Sequence, residues 1–165
     1  MDRALYGREV IYTDFEEINP DNVLQVLERA MTIHIRNRAD IQYLYDYYKG
    51  RQPILDRTKE FRQEICNRIV ENRANEIVSF KVGYLMGEPV QYVSRASDDN
   101  VSTDAINLLN DFVFAEDKAA KDKELADWFT ICGTSYRMVL PAPEEGEADE
   151  SPFEIYTLDP RNAFV

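Results

Sequence analysis

The sequence predicts a predominantly helical α+β fold, with several amphipathic helices and a small antiparallel β element. Apolar residues recur at helical spacing through most of the chain, whereas two short runs near the C-terminus resemble strands. Hydrophobic residues make up 44% of the 165 residues, which is enough for the core of one ordinary domain. Because no linker or internal repeat divides the sequence, we expect an N-terminal arm, residues 1–18, followed by a single domain, residues 19–165.

The first helix has a clear start signal at Asn19-Pro20-Asp21. Asn19 can accept hydrogen bonds from free backbone N–H groups, Pro20 fits the first helical position, and Asp21 suits the positive end of the helix dipole. Apolar residues then follow at helical spacing as far as Ile35. The arm before this helix alternates weakly and predicts an extended segment or a short edge strand.

Two further helices are predicted in the N-terminal half. A periodic segment runs from Asp40 to Lys49, is ended by Gly50, and cannot resume at Pro53. Residues 56–80 carry the strongest amphipathic pattern in the chain, with an apolar stripe and charges on the opposite face.

The segment KVGYLMGEPVQY, residues 81–92, changes the character of the chain. Gly83 and Gly87 permit a turn, and Pro89 cannot continue a helix. We therefore predict a corner between the preceding helix and a short strand at residues 91–94.

The C-terminal half predicts two helices and a hairpin. One helix begins at Ser102 or Thr103 and ends near residue 114, and a charged helix, about residues 116–132, is closed by Gly133. Its mixed charges over residues 116–124 indicate a solvated face with weak ion pairs.

The strand-like runs 135–140 and 153–158 flank an acidic loop and predict a β-hairpin. A turn at residues 159–162 follows. The apolar run 163–165 suggests the start of another strand, so we expect the chain to be truncated at its C-terminus.

The charge distribution argues against tight binding of nucleic acid. The net charge of −12 is carried almost entirely by residues 96–165, which contain 16 acidic and 5 basic residues. Proteins that grip a phosphate backbone need clustered lysine and arginine. The sequence also lacks a secretory signal and any long uncharged apolar stretch, so no membrane association is expected.

No pattern in the sequence predicts catalysis, a metal site or a cofactor. The single histidine, His34, lies on an apolar helix face and is expected to be packed and hydrogen-bonded. Cys66 and Cys132 are predicted to be buried thiols outside any disulfide. The acidic loop 144–150 lacks the ligand order of an EF-hand, so a solvated loop is expected there. A hydrolase that uses Ser135 or Cys132 is the weakest alternative.

Three stretches in order resemble the portal proteins of long-tailed bacteriophages and related prophages. The first is YLYDYYKGRQPI at residues 43–54, which is similar to the family's "YYxGxxPI" segment. The second runs from residue 67 to KVGYLMGEPV and matches a helix that ends in "GYLxGxPV". The third is WFTICGTSY at residues 128–136 with the following hairpin and LDP. The residues that carry the resemblance as structural signatures are Tyr48, Gly50, Pro53, Gly83, Tyr84, Gly87, Pro89, Gly133, Tyr136 and Pro160.

The resemblance implies a structural subunit without enzymatic activity or cofactors, placed in the wing region of the portal. Such subunits form a closed, typically dodecameric ring at the capsid vertex of the virion, after assembly in the host cytoplasm. The implied partners are terminase, scaffold or capsid protein, and a head–tail adaptor. Double-stranded DNA would pass through the ring without sequence-specific binding, and no DNA-contacting residue is assigned. The alternative is a stand-alone acidic α+β protein-binding module.

Overall fold

The computed structural model describes residues 9–62, 65–94, 100–142 and 151–165 and confirms a predominantly helical α+β fold. In chain order the elements are α1 (Val23–Tyr48), a 3-10 turn (Pro53–Asp56), α2 (Arg73–Leu85), α3 (Asn100–Ala115), α4 (Lys118–Cys132), β1 (Tyr136–Pro141) and β2 (Phe153–Leu158).

Helix α1 is continuous, so the prediction of two separate segments is wrong. The apolar pattern is interrupted near residue 37 because that face contacts the N-terminal arm. Asn37 is buried, its Oδ1 accepts the Glu9 N–H at 3.0 Å, and its Nδ2 donates to the Glu9 carbonyl at 2.9 Å. The predicted start signal forms a turn just before the helix, in which Asn19 Oδ1 accepts the N–H groups of Asp21 and Asn22.

Gly50 ends α1, as predicted. Its φ of 82° lies in the left-handed region, which a residue with a Cβ atom adopts only with strain. The Gly50 N–H donates to the Tyr47 carbonyl, and the Arg51 N–H donates to the Asp46 carbonyl. These bonds satisfy the last carbonyl groups of the helix.

The helix predicted over residues 56–80 is wrong for its first part, because the described residues between 57 and 72 form no helix. The apolar stripe there stays exposed among the described residues: Phe61 is 85% exposed and Ile69 is 80% exposed. Periodicity alone does not hold a helix in water when its apolar face stays unburied. Helix α2 begins after Asn72 instead and continues through Leu85, five residues past the predicted end.

The C-terminal elements agree with the predictions except at the start of α3. Helix α3 begins at Asn100, so Ser102 and Thr103 lie inside it and the start predicted there is wrong. Helix α4 lies close to its predicted range, and Gly133 ends it with a φ of 74°. Strands β1 and β2 pair in antiparallel register from Tyr136↔Leu158 to Pro141↔Phe153.

The core lies between α2 and α4. Val78 and Val82 of α2 pack with Ala126 of α4, and Tyr48, Met86 and Ile131 complete the cluster.

The turn after β2 packs on α1. Pro160 is almost fully buried, and the Asn162 N–H donates to the Asp159 carbonyl at 2.9 Å. His34 is packed and hydrogen-bonded, as predicted: its Nε2 lies 3.2 Å from the Arg161 carbonyl oxygen, and its ring centroid lies 4.9 Å from that of Phe164. Residues 163–165 are not part of a strand in the described structure.

Candidate assembly surface

An exposed apolar groove lies between α2 and α4. Phe80, Lys81, Tyr84 and Leu85 of α2 and Phe129 and Thr130 of α4 line this α2–α4 groove, whose volume is about 460 Å³. Phe80 is 75% exposed, Tyr84 is 82% exposed, and Phe129 is 61% exposed. Clustered large apolar side chains on a surface mark a site of protein–protein contact.

The groove follows from the spacing of apolar residues along α2. Val78 and Val82 are four residues apart and face the core. Phe80 and Tyr84 are also four residues apart, but they are offset by two positions and therefore face outward. Because α2 is apolar on both sides, packing on α4 buries only one of them.

A buried ion-pair network fixes α4 to the hairpin. Asp122 of α4 is only 8% exposed, and its carboxylate accepts hydrogen bonds from Lys118 and Arg137. Burial raises the pKa of the Asp122 carboxyl, but these two cations outweigh burial and hold that pKa below its usual range. The prediction of a solvated face over residues 116–124 is therefore wrong at Asp122.

Glu116 makes a second link between α4 and the hairpin. Its Oε2 accepts the Ile155 N–H at 3.0 Å and a hydrogen bond from Lys121 at 3.0 Å. Burial raises the pKa of Glu116, and these two donors more than compensate, so that the pKa lies below its usual range. The Thr157 hydroxyl also donates to the Lys121 carbonyl. These bonds fix the hairpin to α4, which forms one wall of the groove.

The comparison with known families decides the identity. Residues 27–165 match the family described as phage portal protein, SPP1 Gp6-like. The chain belongs to the phage portal protein family. Among curated proteins, none matches the chain. The portal family is structural, so the chain is a structural protein of the phage capsid vertex.

Three of the predicted signature residues lie at the joint between α1 and α2. Tyr48 is the last residue of α1, Gly50 reverses the chain, and Pro53 begins the 3-10 turn. The Tyr48 carbonyl accepts a 2.9 Å hydrogen bond from Asn72, the residue that precedes α2. The joint thereby connects the two helices directly.

Four more of the predicted signature residues lie at or just after the end of α2: Gly83, Tyr84, Gly87 and Pro89. The helix continues through Gly83, so the predicted corner begins later, at Met86. A Cβ atom on Gly87 would lie 2.8 Å from the Gly83 carbonyl oxygen, whereas a Cβ atom on Gly83 would meet nothing within 4 Å. Gly87 therefore permits the corner, Gly83 does not take part in the turn, and Tyr84 faces the groove.

The predicted strand at residues 91–94 is absent from the described structure. The backbone of Tyr92 pairs instead with a side chain: Asn110 Oδ1 accepts the Tyr92 N–H at 3.1 Å, and Asn110 Nδ2 donates to the Tyr92 carbonyl at 3.0 Å. The Asn110 amide thus replaces a neighbouring strand.

The remaining signature residues lie around the hairpin. Gly133 ends α4, Tyr136 begins β1 opposite Leu158, and Pro160 is buried in the turn after β2. Their role as family signatures remains a prediction.

The residues considered for chemistry lie apart from the groove. Cys132 is buried at the end of α4, Ser135 is half-buried before β1, and Cys66 is half-buried, not fully buried as predicted. Neither cysteine is in a disulfide. Within the described residues there is no group of three or more side chains suited to hold a metal ion. The acidic loop 144–150 lies outside these residues, and no described helix is long and apolar enough to cross a membrane.

Sequence reasoning missed the polar residues that connect the elements of this portal protein. They are Asn37, Asn72, Asn110, Asp122 and Arg161. Asn72 carries the only local signal, since asparagine favours the position before a helix. The other four act across long sequence separations, which spacing does not reveal.

Proposed function

We propose that this chain is a subunit of a closed, dodecameric portal ring at the capsid vertex, with its described elements in the outer wing region. The observation that carries the proposal is the family match over residues 27–165. The exposed α2–α4 groove supports it, because a subunit of a ring needs apolar surface that is covered only after assembly.

The ring provides the channel through which double-stranded DNA is packaged and ejected. Residues 96–165 carry a net charge of −11, from 16 acidic and 5 basic residues. Such a surface repels phosphate and does not bind a nucleic-acid backbone tightly. This charge supports passage of DNA without sequence-specific binding.

The proposed partners are terminase, scaffold or capsid protein, and a head–tail adaptor. Assembly takes place in the host cytoplasm, and the finished ring remains in the virion. The subunit itself is not an enzyme, and hydrolysis of ATP during packaging belongs to terminase.

Electron microscopy of the purified full-length protein tests this proposal. We expect rings with a central channel, either alone or in the presence of scaffold and capsid protein. Compact monomers at high protein concentration, with no ring in the presence of those proteins, would overturn the proposal and favour a stand-alone binding module.

A further inference from the structure

A second exposed apolar surface lies on the N-terminal half of α1. Its members are spaced by three, four and four residues, and all are exposed: Leu24, Leu27, Met31 and Ile35. This α1 stripe is distinct from the face of α1 that carries Ala30, Ile33 and Ile41, which are buried. Anchors at this spacing are typical of helices that bind in an apolar groove of a partner.

Acidic residues precede the α1 stripe, and the α2–α4 groove carries one lysine. Residues 15–28, which lead into and begin the α1 stripe, contain four acidic residues and no basic residue. These acidic residues, Glu16, Glu17, Asp21 and Glu28, are exposed and form no ion pair among the described residues. Lys81 of the α2–α4 groove is likewise exposed and without an ion pair in the described structure.

We propose that the α2–α4 groove of one subunit binds the α1 stripe of the neighbouring copy. The inference rests on the proposed function, because it names the contact that joins adjacent subunits of the ring. Tyr84 and Phe129 would receive apolar anchors such as Leu27 and Met31. Lys81 would lie near the acidic residues at the start of the neighbour's α1.

Contact between the groove of one subunit and the stripe of another favours a ring over a simple dimer. Both surfaces are exposed in the same chain, so neither covers the other within one subunit. The groove and the stripe are different surfaces, and contact between unlike surfaces is heterologous. After the first contact, the pair of subunits therefore keeps one free groove and one free stripe, and repeated contacts of this kind form a ring when the rotation between neighbours closes.

Charge reversal in the full-length protein tests the pairing. We expect Lys81→Glu and Glu28→Lys each to raise the protein concentration for half-maximal ring formation by about tenfold or less, as suits exposed charges. Tyr84→Ser and Leu27→Ser should each raise it by more than about tenfold, because they remove buried anchors. The double variant Lys81→Glu/Glu28→Lys should restore most of the ring formation that each single charge reversal removes. A purely structural role of either residue would not produce this recovery.

The control is Phe114→Ser on α3, which removes an aromatic ring that is 86% exposed but lies outside both surfaces. Its ring formation should equal that of the unaltered protein. Circular dichroism melting of every variant separates a loss of folding from a loss of assembly. A chain with Leu27→Cys, Tyr84→Cys and Cys66→Ser should form a ladder of covalent oligomers after oxidation.

The outcomes separate this inference from the proposed function. If the unaltered protein forms no ring, the proposed function fails. If rings form but Leu27→Ser and the charge reversals leave them unchanged, or if no covalent ladder appears, the ring stands and the pairing is wrong. Loss of capsid incorporation with normal ring formation in Tyr84→Ser would assign the groove to another capsid component and also overturn the pairing.

Discussion

Asn72 Nδ2 donates a 2.9 Å hydrogen bond to the carbonyl of Tyr48, which joins the start of α2 to the end of α1. The same side chain accepts the Asn75 N–H at 3.3 Å through Oδ1 and so caps α2. One amide therefore satisfies a carbonyl at the end of one helix and an N–H at the start of the next, and both groups would otherwise lack a partner.

Two substitutions of Asn72 separate the contributions of these two hydrogen bonds to the stability of the protein. Asn72→Ala removes both bonds and should lower the free energy of unfolding by about 2 kcal/mol. Asn72→Asp keeps the capping oxygen but loses the donor to Tyr48, so the decrease in its free energy of unfolding should be intermediate. Urea unfolding measures both, with Asn67→Ala at an exposed position as the control. Equal stability of Asn72→Asp and the unaltered protein would show that the bond to Tyr48 contributes nothing.

Alanine substitutions of the two glycines near the end of α2 should change the stability of the protein in opposite directions. Gly83→Ala adds a methyl group inside a helix with no atom within 4 Å, so it should stabilise by about 1 kcal/mol. Gly87→Ala places its Cβ atom 2.8 Å from the Gly83 carbonyl oxygen, so it should lower the melting temperature. Thermal unfolding of the two variants provides the comparison, and each is the matched control for the other. A destabilising Gly83→Ala would contradict the open space seen beside that residue.

Features encoded by adjacent residues were predictable from the sequence. Gly50 and Gly133 end helices because the left-handed conformation at each favours glycine, and their place after an apolar periodic segment is visible in the sequence. The hairpin was predictable because two strand-like runs flank a long polar loop. His34 was placed correctly because a lone histidine on an apolar face is usually packed.

Features that depend on a tertiary partner were not predictable. The stripe that includes Phe61 and Ile69 has helical spacing, but no described element covers it, and its described residues form no helix. The strand predicted near Tyr92 failed for a related reason, since its partner is the side chain of Asn110. Asp122 looked like one of many solvated charges, and only the fold brings Arg137 to it. The α2–α4 groove depends on which face of α2 packs against α4.

The Asp122 network should make the stability of the protein sensitive to acid. The pKa of Asp122 in the folded protein lies below its value in the unfolded chain, about 3.9. The ionised form is therefore favoured by folding, and its contribution is complete above the unfolded pKa and lost as the pH falls through the folded pKa. The pKa values of Glu116 and Asp159 are lowered as well, so these residues add to the same trend.

Asp122→Asn isolates the contribution of that carboxylate. At pH 7 it should destabilise the protein by about 3 kcal/mol, because Lys118 and Arg137 keep their charges without the counter-charge. The difference from the unaltered protein should begin to shrink as the pH falls below the unfolded pKa of about 3.9, and it should disappear as the pH falls through the lower folded pKa of Asp122. Melting temperatures between pH 7 and pH 3 measure this difference, with the exposed Asp104→Asn as the control. A difference that is independent of pH would exclude the ion pairs as its cause.

Arg161 holds the turn after β2 against α1 and α4, and Arg161→Lys should weaken that contact by about 1 kcal/mol. Its guanidinium carbon lies 4.6 Å from the ring centroid of Tyr45 and 5.2 Å from that of Trp128. Hydrogen bonds to Asp159 fix its orientation, and they raise the pKa of Arg161 above its usual value. Lysine keeps the charge but cannot stack a planar group on the rings.

Trp128 reports this contact directly, because it is the single tryptophan of the chain. Its fluorescence should change in the folded Arg161→Lys protein, and urea unfolding followed at the same wavelength should show the lower stability. Arg51→Lys is the matched control, because the Arg51 side chain is largely exposed and its ion pair with Asp46 spans 3.9 Å. Unchanged emission together with unchanged stability in Arg161→Lys would mean that charge alone holds the turn. A change in emission without a loss of stability would mean that the guanidinium stacks on Trp128 but is not needed to hold the turn. The buried Pro160 and the His34–Phe164 contact would then be sufficient to hold the turn on α1.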